Sequence, residues 1–381
     1  MIPLSKPFID KSDFKYFTDI FQTKILTDGK YQLKSEELIK RIIKSKFVAL
    51  THSCTAALEI SALLLNLKKG DEVLMPSYGF VSVSNAIVLR GAKPVFVEID
   101  PVNLNICPKD LEKKITDKTV AIYLIHYSGN SCDMDKILHI KKKYDIFLVE
   151  DTAHSFLSKY KNRYLGTIGD IGTFSFHETK NLTCGQGGCL SINNKDLIKR
   201  ANYILDKGTD RKDFIKNYKK KIITSENSKK YYSWVDYGSE YRAPELSSAL
   251  LFSQLKKVNI IQKKRKIIWE KYKRLFHKIN SNHFSLVEGL KNTKSSYHLI
   301  VLIFKSTKKS NQFKKYLQKK NIAATFHYVP LHKSKMGRLY SKKKLPITEK
   351  IYKKVVRLPL FPSMTSKEFN KIEKTIKEFF K

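Results

Sequence analysis

The chain has 381 residues and a mass of 44.2 kDa, room for about two domains of 100–200 residues each. Hydrophobic residues at 42% and aromatics at 12% suffice for a buried core and exclude wholesale disorder. The net charge of +38 rests on 63 lysines and only 10 arginines, so the arginine-led contacts of nucleic-acid readers are not expected.

No apolar run approaches the roughly 18–20 residues of a membrane helix, so no membrane partner is expected. The opening Met1–Phe8 has no basic segment leading into an apolar one, which argues against a secretory leader. Five cysteines (54, 107, 132, 184 and 189) form no C-x-x-C pair and read as reduced thiols, so a cytoplasmic protein is expected. Short apolar runs follow at Phe47–Leu50, Glu72–Met75, Pro94–Ile99, Val120–Ile125, Ile146–Val149, Thr173–Phe176 and Cys189–Ile192. Helical periodicity lies between several of them, at Ala56–Leu67 and Met134–Lys143. Strands alternating with helices predict an α/β fold on a mostly parallel sheet, with ligands gathering at the carboxyl ends of its strands. Residues 208–233 are polar and lysine-rich and read as a long loop. A helical pattern then runs from Glu245 to about Ile279, before a strand-like run at Leu299–Phe304, a helix near Asn311–Lys320 and a last helix from Lys367. The expected division is a large α/β domain, 1–250, and a small C-terminal α+β domain, 251–381. The charge is lopsided: residues 1–190 hold 26 basic and 21 acidic side chains, residues 191–381 hold 47 and 14. The lysines travel with abundant Ile and Asn, so the excess reads as compositional drift, with solvated helix faces as the alternative.

Four segments at strand ends or turns carry candidate chemistry. In Thr51–Leu58 a strand runs into Ser53, Cys54 and Thr55 at the start of a helix, which reads either as simple capping or as a phosphate seat. In Phe147–His154 a strand ends in Glu150 and Asp151, with His154 close behind; a cap, a metal ligand and the partner of a cofactor nitrogen all remain open there. Gly172–Lys180 carries Ser175 and Lys180 out of a strand toward the glycine-rich turn at residues 185–188. Phe326–His332 sets His327 and Tyr328 by a proline-stiffened turn, suited to polar ligands or merely to the surface. A lysine, a carboxylate, hydroxyls and a helix N-terminus around one crevice match the needs of pyridoxal 5′-phosphate. Phe80, in Pro76–Phe80, supplies either an aromatic wall for that ring or a core side chain.

In this ordered set the chain resembles the DegT/DnrJ/EryC1/StrS family of fold-type I, aspartate aminotransferase-like sugar aminotransferases, from about Pro3–Pro7 to Arg357–Pro362. The resemblance implies Lys180 as the Schiff-base lysine and Asp151 as partner of the pyridinium nitrogen. It also implies His154 beside the ring, Phe80 on its face, and Ser175 with the Cys54 and Thr55 amides on the phosphate. His327 and Tyr328 are the expected substrate contacts. Lys207–Phe214 and Tyr232–Leu246 look similar to transaminases that turn dTDP-4-oxo-6-deoxy-D-glucose into dTDP-4-amino-4,6-dideoxy-D-galactose with L-glutamate as donor, in polysaccharide biosynthesis. The second of these stretches implies a homodimer with active sites at its interface. Three positions depart from the family pattern: Glu240 for Asn, Gln186 for Glu and Gly79 for Thr.

Overall fold

Each of the seven apolar runs becomes a strand of one sheet in the computed structural model, which describes residues 1–219, 231–279 and 282–381. The strands are β1 (Phe47–Thr51), β2 (Glu72–Pro76), β3 (Lys93–Val97), β4 (Thr119–Ile125), β5 (Phe147–Asp151), β6 (Ile171–Ser175) and β7 (Gly188–Ile192), in the spatial order β1-β7-β6-β5-β4-β2-β3. Only β7 runs antiparallel to its neighbours. The carboxyl ends of β1 to β6 therefore share one edge, where Gly188 at the start of β7 registers with both Thr51 and Ser175. Both faces of the sheet are covered, which is why Val73–Met75 and Ala121–Leu124 are uniformly apolar apart from the buried Tyr123 and fully buried. Helix Cys54–Leu64 is capped by Ser53, and helix Met134–Tyr144 by Asp133.

A second, antiparallel sheet follows: β8 (Phe284–Leu286), β9 (Ile300–Phe304) and β10 (Val355–Leu358), in the order β8-β9-β10. Helices Val258–Ile279, Thr307–Lys319 and Ser366–Phe380 pack on it around Tyr272, Phe304, Phe313 and Ile372. Ile2 joins this core by bridging to Ile322, and residues 293–294 pair with 159–160, so the N-terminal end and an internal segment tie the layers together.

Three expectations change. The helical pattern from Glu245 to Ile279 is two helices, Glu245–Lys256 and Val258–Ile279, because Lys257 leaves the helical path and its ammonium reaches the buried Asp13 at 2.7 and 2.8 Å. Within the expected loop, Arg211–Lys219 is helical, with Asp213 in its first turn and bound by Tyr203 Oη; the rest of that stretch up to 230 lies outside the described residues. Helix Lys30–Ile43 was not expected. It starts at Gly29, which has no side chain to cap it, and the carboxylate of Glu245 accepts from Tyr31 N and Gln32 N instead, at 2.6 and 3.0 Å. No helix among the described residues is long and apolar enough to cross a membrane.

Candidate active site

At the shared strand edge, β1 turns into helix Cys54–Leu64. Ser53 Oγ accepts from Ala56 N at 3.0 Å, while the Cys54 and Thr55 amides are first-turn donors with no intrahelical acceptor. Thr55 Oγ1 bonds Ser82 Oγ at 2.8 Å. Strand β7 passes so close beneath that a Cβ on Gly188 would stand 2.3 Å from Cys54 N and 2.5 Å from Ser53 O. Two backbones approach here because one residue is glycine, and the result is a concave row of amides and hydroxyls with Ser175 at the neighbouring strand end.

The two carboxylates ending β5 take opposite directions, as adjacent strand residues must. Glu150 is fully buried and accepts from Gly166 N, Ile168 N, Gly169 N and His126 Nε2. Asp151 lies on the wall of a cavity of about 500 Å³, with Oδ1 accepting from Ala153 N at 2.9 Å. Burial pushes its carboxyl up, against the pull of that hydrogen bond and of the Lys180 charge. Lys180, half-buried on the same wall, is pushed down by burial and held up by Asp151. The His154 imidazole is kept neutral by burial and by the Lys180 charge. It stacks on His298 at 4.5 Å between ring centres and faces His327 at 5.9 Å. His327 Nδ1 hydrogen-bonds Tyr127 Oη at 3.1 Å, and Tyr328 packs 6.4 Å from Phe80.

Cys54, Thr55, Phe80, Asp151, His154, Ser175, Lys180, His327 and Tyr328 all line this one cavity. Segments 272 residues apart thus meet at one place. The cavity also takes in Ser82, His298 and Arg357, which the sequence reading did not single out. His298 precedes an apolar run and Arg357 sits inside a strand, so neither carries a local signal; only the packing of β9 and β10 against the sheet edge turns them to the site. Of the departures, Gln186 is on the cavity wall. A Cβ on Gly79 would stand 2.2 Å from Ile125 Cδ1, so a threonine there requires Ile125 to move. Glu240 is ion-paired to Lys207 at 2.5 Å. Among the described residues no group of three or more His, Cys, Asp or Glu side chains is placed to hold a metal ion. An amine, one buried carboxylate, an amide-and-hydroxyl seat for an anion and flat ring walls fit pyridoxal phosphate.

Comparison with known proteins agrees. The model of the DegT/DnrJ/EryC1/StrS aminotransferase family matches residues 7–377. The chain is 34% identical to the uncharacterised protein MJ1066 of Methanocaldococcus jannaschii, over 99% of this chain and 97% of that one. It is 30% identical to the GDP-perosamine synthase of Escherichia coli O157:H7, over 100% of this chain and 98% of the relative. Among solved structures, the Helicobacter pylori aminotransferase PseC, involved in the biosynthesis of pseudoaminic acid, superposes with a TM-score of 0.89 at 26% identity, covering 100% of this chain and 99% of that one. The chain belongs to the DegT/DnrJ/EryC1/StrS aminotransferase family: it is a sugar aminotransferase of the fold-type I α/β architecture, and its cofactor is pyridoxal 5′-phosphate.

Proposed function

We propose that this enzyme moves the amino group of L-glutamate to the 4-keto carbon of a nucleotide-linked 4-keto-6-deoxy sugar, with dTDP-4-dehydro-6-deoxy-D-glucose as substrate and dTDP-4-amino-4,6-dideoxy-D-galactose as product. The observation that carries the reaction type is the placement of Lys180 and Asp151 on one cavity wall at neighbouring strand ends. The sugar assignment is supported by the Lys207–Phe214 and Tyr232–Leu246 stretches. A second reading, a GDP-linked ketosugar, is favoured by the name of the perosamine synthase relative.

Pyridoxal phosphate, when bound, supplies the electron sink that lets a C–H bond beside an amine break. The residues of this chain do the rest. The Lys180 amine, lowered by burial, takes a proton from the donor's Cα and returns one during transfer to the sugar. Asp151 holds a proton on the ring nitrogen, because a buried carboxylate without a cation is costly and a protonated ring supplies one. The Cys54 and Thr55 amides with Ser175 hold the phosphate, Phe80 and His154 confine the ring, and His327 with Tyr328 contacts the sugar. The enzyme works as a homodimer: Tyr232, Trp234 and Tyr237, at 52%, 78% and 64% exposure, put a run of aromatics on the segment whose resemblance implies the interface. The seven-stranded layer and the C-terminal layer are its domains, 1–250 and 251–381.

The test is the visible absorption of the cofactor-loaded protein, before and after glutamate, followed by addition of dTDP-, GDP- and UDP-linked 4-ketosugars. Loss of the band with glutamate, and its return with the dTDP sugar alone, is the expected result. Return with the GDP sugar alone moves the assignment to the second reading. A band indifferent to glutamate removes glutamate as the donor.

A further inference from the structure

Another cavity, of about 610 Å³, lies where helices Lys30–Ile43, Glu245–Lys256 and Val258–Ile279 come together, and it shares no lining residue with the catalytic one. That volume falls within the roughly 300–1,000 Å³ of small-molecule sites. The cavity straddles the break at Lys257, with Leu255 on one side and Val258 on the other. Leu38 and Ile42, one helical turn apart, complete an aliphatic floor with Leu157. These three side chains are only half-buried although they pack against the core that holds Phe156, Phe174 and Phe176, so hydrocarbon stays open to solvent inside a concavity. Around the floor stand Lys256, Lys263, Lys266 and Lys294, all exposed, and no Asp or Glu lines the cavity among the described residues. Nearby, Lys257 pairs with Asp13 and Lys273 with Glu288, whereas none of these four lysines is ion-paired among the described residues. A lysine-rich composition scatters lysines over the whole surface; it does not gather four, without an acid, around one aliphatic floor.

We infer that this cavity binds a single-chain amphiphile with a phosphate head, its alkyl chain on the Leu38, Ile42 and Leu157 floor and its phosphate among the four lysines. The chain gains by leaving water for aliphatic neighbours, in proportion to the area it buries. A phosphate monoester carries about 1.5–2 negative charges at pH 7, enough to engage more than one ammonium group. Lysines meet it as mobile point charges with three donors each, so the head needs no planar fork to be held. Asn259, Gln262, Lys263 and Lys266 recur at i, i+3, i+4 and i+7, which puts amides and ammonium groups of one helix stripe along the same wall. A sugar or a nucleoside laid on this floor would set hydroxyls and ring nitrogens against aliphatic side chains that cannot hydrogen-bond them. Inorganic phosphate would leave the floor unused. The inference is separate from the sugar chemistry proposed above and holds whichever ketosugar the catalytic cavity takes.

The test is calorimetric titration of the cofactor-loaded, full-length protein with inorganic phosphate, butyl phosphate and octyl phosphate, each below the concentration at which it forms micelles. Each buried CH2 strengthens binding about 4-fold, so octyl phosphate should bind about 100-fold more tightly than butyl phosphate. Two double variants locate the site. Lys263→Glu with Lys266→Glu reverses two charges beside the cavity; Lys367→Glu with Lys371→Glu makes the same change in net charge on the last helix, where both lysines are exposed. The first pair should weaken octyl phosphate about 10-fold and the second should leave it unchanged. Equal weakening by both pairs overturns the inference, because it reports attraction to the overall charge alone. An affinity indifferent to chain length overturns it as well, and so does the failure of octyl phosphate to bind. Displacement of octyl phosphate by 2-oxoglutarate or by a nucleotide sugar assigns the binding to the catalytic cavity and overturns the separate site. Association with phosphatidylglycerol vesicles without binding of monomeric octyl phosphate shows a charged surface in place of a cavity, and refutes it too.

Discussion

Replacing Glu150 by glutamine probes how the edge of the sheet holds its catalytic wall. Glu150 Oε1 accepts from Ile168 N at 2.7 Å and Gly169 N at 2.6 Å, and Oε2 from Gly166 N at 2.9 Å and His126 Nε2 at 3.0 Å. His126 Nδ1 accepts from Cys132 N at 3.1 Å, so Nε2 carries the proton donated to Glu150. Glutamine offers one oxygen and one NH2 in place of two oxygens. Two of the four donors keep an acceptor and two face another donor in a fully buried site. At about 1–3 kcal/mol for each buried donor left unpaired, Glu150→Gln should cost about 2–6 kcal/mol, a large part of the ~5–15 kcal/mol typical of a folded protein. The pH dependence has a definite sign. Burial raises the Glu150 carboxyl, but the His126 and backbone donors outweigh it and leave its pKa below the ordinary glutamate value. A depressed carboxylate stabilises above its unfolded pKa of about 4.3 and loses that contribution as pH falls through the folded value. Urea unfolding of the cofactor-free protein should therefore separate Glu150→Gln from the wild type at pH 7, with the gap closing as the solution is acidified. A difference below about 0.5 kcal/mol at pH 7 would refute the reasoning, since ordinary surface changes fall in that range.

Three other outcomes follow from the site. Lys180→Ala should abolish amino transfer while the melting curve stays within about 1 kcal/mol of the wild type, because Lys180 is half-buried on a turn outside the core; normal turnover by this variant would sink the assignment. Gly188→Ala should weaken cofactor binding at least ~10-fold in a reconstitution titration, because its Cβ meets the backbone at Ser53 and Cys54, which cannot yield as a flexible side chain would. Wild-type affinity there would show that the helix start is not the phosphate seat. Because burial holds the His154 pKa well below the ordinary value, the pH profile between 6 and 8 should be the same in wild type and His154→Gln. A step near pH 6.5 that vanishes in the variant contradicts this.

Much of the sheet could be read without a fold. The seven strands are short runs that must be apolar on both faces, and glycine, proline or aspartate marks their ends, so Phe47–Thr51 through Gly188–Ile192 were each legible within one to three residues. The strand-end residues were legible for the same reason: Ser53, Glu150, Asp151 and Ser175 stand where an apolar run stops, and a polar side chain there has few roles. Helix Lys30–Ile43 was not, because its N-terminal cap is Glu245, more than 200 residues away, and the chain at Gly29 carries no sign of it. The break at Lys257 depends in the same way on Asp13.

What the sequence by itself determined is local: which runs are strands, where they end, and which chemistry-bearing residues stand at those ends. Glu150 and Asp151 are adjacent letters of like charge, yet only tertiary structure decided that one is sealed among backbone donors and the other opens on the cavity. Likewise, only the packing of β10 against the sheet edge set Arg357 on the same wall as Lys180, 177 residues earlier. Side-chain periodicity follows from the backbone and can be counted along the chain. Distance across a cleft depends on how two layers pack, and no spacing along the chain encodes it.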